Sequence, residues 1–137
     1  MKLTKMLIAG WLALMPCTVM AQNEVRDREV KGPPGRDIRI GVYANLRPDC
    51  SSGPLPTIRL DQPPTNGSVT VKRGKIQVTS QRQNCLAAEV PGFVAFYRAK
   101  NGFTGSDEVV LEIDNQAGKK VKQKIKITVE DNKAKNI

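Results

Sequence analysis

The stretch from Tyr97 to Asp114, YRAKNGFTGSDEVVLEID, constrains the fold more than any other part of the chain. It sets the turn formers Asn101-Gly102-Phe103-Thr104-Gly105 ahead of a segment whose apolar residues fall at Val109, Leu111 and Ile113. A period of two marks a half-buried strand, because successive strand side chains point to opposite faces. Such a strand needs a second apolar layer to cover it. The rest of the chain supplies strands of the same kind.

Asp37 to Asn45 alternates Ile38, Ile40, Val42 and Ala44 with Arg39, Gly41 and Tyr43. Thr57 to Asp61 is a short strand with Ile58 and Leu60 inward. Val69 and Val71 precede Arg73-Gly74, and Ile76 and Val78 follow it, which predicts a hairpin of Ser68–Lys72 and Lys75–Thr79. Cys85 to Val90 admits a helical turn but is too short for a stable helix. Phe93 to Ala99 is apolar on both faces through Phe93, Val94, Phe96 and Tyr97, as a central strand is. Lys119 to Glu130 is the last strand. Prolines and Asn-Gly in Gln62 to Gly67 mark a turn in which positive φ is expected. No helical crossover is legible, so no parallel pairing is expected. These signals predict an all-β, antiparallel β-sandwich of about seven strands. Its expected core is Ile40, Val42, Ile58, Val71, Phe96, Leu111, Ile113, Ile125 and Ile127.

The first residues read as a leader. Lys2 and Lys5 precede the apolar run Met6 to Met15, which is too short to span a bilayer of about 30 Å as a helix. Val19-Met20-Ala21 carries small or apolar residues at the positions a signal peptidase reads. Residues 1–21 are therefore expected to be a signal peptide, with an uncleaved anchor as the alternative. Pro16 before Cys17 disfavours a lipoprotein site. Residues 22–36, QNEVRDREVKGPPGR, are too charged to offset their ordering entropy and read as a flexible arm. A short strand using Val25 and Val30 is the alternative there. Residues 37–130 form the domain, and 131–137 a polar tail. The expected location is periplasmic or secreted, and the expected state a monomer.

Cleavage would remove Cys17 and leave Cys50 and Cys85. Two cysteines in an exported domain usually pair, and the chain-entropy estimate for this loop is roughly 3–4 kcal/mol. Two free buried thiols are the alternative.

The chain has no histidine, which removes Ser-His-Asp and Cys-His catalysis and most zinc sites. Asp107-Glu108 are neighbours that point to opposite faces of a strand, so they do not form an acid/base pair. No glycine-rich nucleotide motif occurs. The expectation is a protein that is not an enzyme and needs no cofactor or metal.

Charge offers the sharper feature. Lys and Arg number 22 against 13 Asp and Glu, a net charge of +9. Lys120, Lys122, Lys124 and Lys126 share one parity of the last strand, spaced about 6.5–7 Å apart. They are either protection of an edge strand or a ridge for a polyanion such as lipopolysaccharide, acidic polysaccharide or nucleic acid. Three functions remain: a module binding a protein or envelope component, a polyanion binder using that ridge, or a small secreted inhibitor. The inhibitor would use the loop Pro63, Pro64, Thr65, Asn66 and Gly67 as a wedge.

The chain also resembles the bacterial cadherin-like, immunoglobulin-like repeats of large surface proteins. Their pattern has a proline-rich turn followed by N-G-x-V, then Y-x-P-x-x-x-F-x-G-x-D. Pro64, Asn66, Gly67 and Val69 match the first part, and Tyr97, Phe103, Gly105 and Asp107 the second. Ala99 stands in place of the proline, and the cysteine pair lies outside the pattern. The resemblance covers Asp37 to Glu130. It implies an immunoglobulin-like sandwich that acts as a spacer or adhesive module. Asp107 is expected to accept hydrogen bonds from turn amides, with a calcium ligand as the alternative reading.

Overall fold

Alternation and turn chemistry produce seven strands among the described residues: β1 (Glu24–Gly32), β2 (Ile38–Tyr43), β3 (Thr57–Gln62), β4 (Gly67–Gln77), β5 (Glu89–Ala99), β6 (Gly105–Asp114) and β7 (Lys120–Val129). The structure is a computed structural model that describes residues 10, 12–17, 24–78, 85–116 and 118–131. The expected cleavage site, the connection Ser80–Asn84 and the tail from 132 lie outside the described residues. Two sheets pack as a β-sandwich. One has the order β1-β7-β6-β3, the other β2-β5-β4.

The core lies between the sheets. Ile38, Ile40, Ala95, Tyr97 and Ala99 from one meet Val109, Leu111, Ile125, Ile127 and Val129 from the other. The strand after the Asn101–Gly105 turn thus forms half of one inner layer. Polar groups inside this layer find partners. Gln123, the polar residue in the inward row of β7, accepts a hydrogen bond from the Tyr43 hydroxyl across the sheets. Burial pushes that phenol up to about 12, against a smaller opposing effect of Arg28.

Five expectations are corrected. The charged segment read as a flexible arm forms β1, paired in parallel with β7 from Glu24↔Val121 to Gly32↔Val129. The pairing is parallel, with no crossover helix, because the rest of the sandwich lies between the first strand and the last. The length that parallel pairing demands is met by the whole domain. The hairpin expected about Arg73-Gly74 is instead one unbroken strand, β4, whose register with β5 runs from Gly67↔Ala99 to Gln77↔Glu89. Its true hairpin partner is β5, and the ladder continues through Val78 and Ala88.

Core membership also shifts. Ile40, Leu111, Ile125 and Ile127 are fully buried and Ile58 and Ile113 half-buried, but Val42 and Val71 remain 38% and 40% exposed. In β2 a register shift between Arg39 and Gly41 breaks the alternation, so that Val42 turns outward and Tyr43 inward. In β5 the inner row is Ala95, Tyr97 and Ala99, which leaves Phe96 on the outer face. Finally, β7 is no edge strand. It lies between β1 and β6.

Candidate functional site

The loop Pro63–Gly67 is held from beneath by Asp107. The Asp107 carboxylate is 7% exposed. It accepts hydrogen bonds from the amides of Thr65 (3.0 Å) and Asn66 (2.9 Å), from the Tyr97 hydroxyl (2.8 Å) and from the Glu108 amide (2.8 Å). The two halves of the repeat-like pattern therefore meet in space. The amides come from the proline turn before β4, not from the turn that precedes Asp107. Burial by itself would raise the Asp107 carboxyl. The hydrogen bonds from Tyr97, Asn66, Glu108 and Thr65 outweigh it and hold the group below its ordinary range. The same burial and the neighbouring Asp107 raise the Tyr97 phenol. Among the described residues no group of three or more His, Cys, Asp or Glu is placed to hold a metal ion.

Two glycines in this cluster are required for different reasons. Gly105 has φ +130°, a conformation L side chains rarely adopt. Gly67 has no positive φ, nor has Asn66, contrary to the turn expected there. A Cβ on Gly67 would lie 2.5 Å from the Tyr97 ring and the Arg98 carbonyl oxygen. The glycine admits the ring that reaches Asp107.

The opposite end of the sandwich is closed covalently. Cys50 and Cys85 form a disulfide, joining the β2–β3 connection to the β4–β5 connection. Cys50 is presented by a small ordered turn. Its amide donates to the Arg47 carbonyl, and Asp49 accepts from the Ser51 amide and hydroxyl. Cys85 is buried, and it opens a single turn rather than a helix.

The four lysines of β7 do lie on one face, the outer face of the four-stranded sheet, but they do not stand alone. On β6, Lys120 is opposite Asp114, Lys122 opposite Glu112 and Lys126 opposite Glu108. On β1, Lys124 is opposite Asp27 and Lys126 opposite Glu29. Lys122 Nζ is 3.3 Å from Asp61, and Lys124 Nζ 3.7 Å from Glu108. Tertiary pairing thus compensates the ridge that the sequence presents as uniformly cationic.

The outer face of the three-stranded sheet differs. Val42 pairs with Val94, and Phe96 lies between Arg39 and Thr70. Val94 and Phe96 are only half-buried. Lys72 stands over the Phe96 ring at 5.5 Å. Arg98 meets Asp37 at 3.0 Å. An apolar strip rimmed by Arg39, Lys72 and Arg98 results, with Asp37 the acidic group at its margin. Sequence reasoning missed this surface, because it assigned Val42 and Phe96 to the core. The signal available was the double-sided apolarity of Phe93 to Tyr97.

Between the two sheets, beside the edge strands β3 and β4, lies an open cleft of about 370 Å³ lined by Leu55, Pro56, Thr57, Ile58, Val71, Phe93 and Gln116. No protein-family model, curated protein or solved structure matches the chain.

Proposed function

We propose that the chain is an exported, non-catalytic, monomeric immunoglobulin-like module that binds a protein or envelope component through the outer face of its three-stranded sheet. The observation that carries this reading is the contrast between the two outer faces. One pairs its lysines with carboxylates. The other leaves Val42, Val94 and Phe96 within a largely cationic rim. Aromatic and arginine side chains around an apolar patch are what protein interfaces favour. Export is supported by the leader-like start, by the disulfide and by Leu12, Leu14 and Met15, which stand almost fully exposed away from the core. Among the described residues no helix is long and apolar enough to cross a membrane. The immunoglobulin-like reading is supported by strand order. The rows β7-β6-β3 and β2-β5-β4 have the order of the G-F-C and B-E-D strands of that sandwich.

The test is site-specific photo-crosslinking in intact cells. A photoreactive residue at Val42 captures a partner, and one at Glu112, on the compensated face, does not. Capture from both positions alike, or from Glu112 alone, overturns the proposal.

A further inference from the structure

We propose that β4 is a strand-acceptor edge, taking up an extended segment of a partner, acidic where it lies against Lys72–Lys75 and apolar where it lies against Val69 and Val71, as an added antiparallel strand of the three-stranded sheet. The proposal rests on the binding-module reading and deepens it by naming the chemistry of the partner.

Among the described residues β4 ends its sheet and pairs only with β5. It runs for 11 residues with an unbroken register, so its free side is long and regular. In an antiparallel pair every second residue turns its N–H and C=O away from the partner. Such an edge is a template for another strand. The other edge of that sheet, β2, is shorter and carries a register shift.

Two features give the added strand its composition. Lys72, Arg73 and Lys75 are exposed along β4, and among the described residues none of them makes an ion pair. Lys72 stands in the outer row of β4, opposite Val94, and Arg73 and Lys75 in the row of Val71, so an incoming antiparallel strand with consecutive carboxylates along this half of the edge would meet all three cations. A second copy of β4 would set like charges against each other. Beside the same edge, the sandwich is incompletely closed. Val71 is 40% exposed and Leu60 on β3 is 48% exposed, and the cleft between the two edges has apolar walls from Leu55, Ile58, Val71 and Phe93. The inward side chains of the added strand that lie against Val69 and Val71 fall on that cleft. Lysines that merely guard an edge need no apolar cleft beside it.

The experiment uses the disulfide-bonded protein, labelled with ¹⁵N, and an acetylated peptide of about nine residues, long enough for one strand, with consecutive Glu in its first half and alternating Val and Thr in its second, the order that sets Glu against Lys72–Lys75 and Val against Val69 and Val71 in an antiparallel pair. Binding is followed by amide shifts and hydrogen exchange. The expected result is new protection along β4, with shifts at Val71 and Phe93. Affinity should fall about tenfold in K72Q/R73Q/K75Q, as three exposed charge pairs predict. It should vanish for a peptide N-methylated at alternate residues, which removes the main-chain donors. Lack of binding at millimolar peptide, protection centred elsewhere, or equal affinity in the charge variant overturns the proposal. So does a dimer in sedimentation without peptide that K72Q/R73Q/K75Q strengthens, because it assigns the edge to a second copy. Capture at Val42 that persists while strand uptake fails would sink the edge proposal and spare the binding face.

Discussion

The two ends of this sandwich are closed by different chemistry. At one end Cys50 and Cys85 join two loops by a covalent bond. At the other, the Asp107 carboxylate gathers two turn amides and the Tyr97 hydroxyl from two other parts of the chain. The first closure acts mainly by restricting the unfolded chain and depends on redox conditions. The second acts in the folded state, where a buried carboxylate must keep its donors, and depends on pH. One small domain thus has an end that responds to reductant and an end that responds to acid.

Breaking the covalent end should have the largest effect. Cys85→Ala is expected to lower stability by about 3–4 kcal/mol, from the loop that the bond closes. Denaturant unfolding of the variant, and of the wild type with and without reductant, measures it. Reductant should destabilise the wild type and leave the variant unchanged. Labelling of both Cys50 and Cys85 in protein taken from its native compartment would contradict the pairing there.

Breaking the carboxylate end should come next. Asp107→Asn turns an amide donor toward main-chain donors, with an expected loss of about 2–3 kcal/mol for the unpaired groups. The pH dependence sharpens the comparison. Because the Asp107 carboxyl is lowered in the folded state, its contribution is complete above the unfolded value near 4 and is lost as pH falls through the folded value. Thermal unfolding between neutral pH and pH about 2 should therefore show a steeper acid loss in wild type than in Asp107→Asn. Equal slopes would remove Asp107 as the acid-sensitive group. Reduction of the disulfide should leave the slope as it was.

Gly67→Ala tests the same end through packing. The added methyl meets the Tyr97 ring and the Arg98 carbonyl oxygen, and a cost of about 1–3 kcal/mol is expected for overpacking. Hydrogen exchange at Thr65 and Asn66 should rise together, since displacement of the ring loosens the carboxylate they share.

The smallest effect is expected on the lysine row, remote from both closures. Lys124→Gln removes an exposed pair with Glu108 and should change stability by about 1 kcal/mol or less. Heparin retention of a variant with Gln at Lys120, Lys122, Lys124 and Lys126 should differ little from wild type. A marked loss of retention would restore the ridge as a polyanion site.

The sequence by itself determined the strand content, the cysteine pair and the inward row of β6 and β7. These are local properties. Alternation reports which side of a strand is apolar, and loss of Cys17 with the leader would leave two cysteines. The partners of Asp107 were half legible. The residue types and spacing pointed to a carboxylate that accepts turn amides, but which turn supplied them depended on the packing of β3, β4 and β6.

Tertiary structure alone decided the rest. A single-residue shift in β2 exposed Val42, and nothing local to IRIGVY announces it. β5 is apolar on both faces, so hydropathy does not select its inner row, which in the fold holds Tyr97 bonded to Asp107. The charged segment at β1 gains order from nine pairings with β7, at the far end of the chain. For the same reason the lysine row, cationic in sequence, is compensated in space. Charge along one strand is written in its own residues, whereas the charge opposite it belongs to strands that only the fold brings alongside.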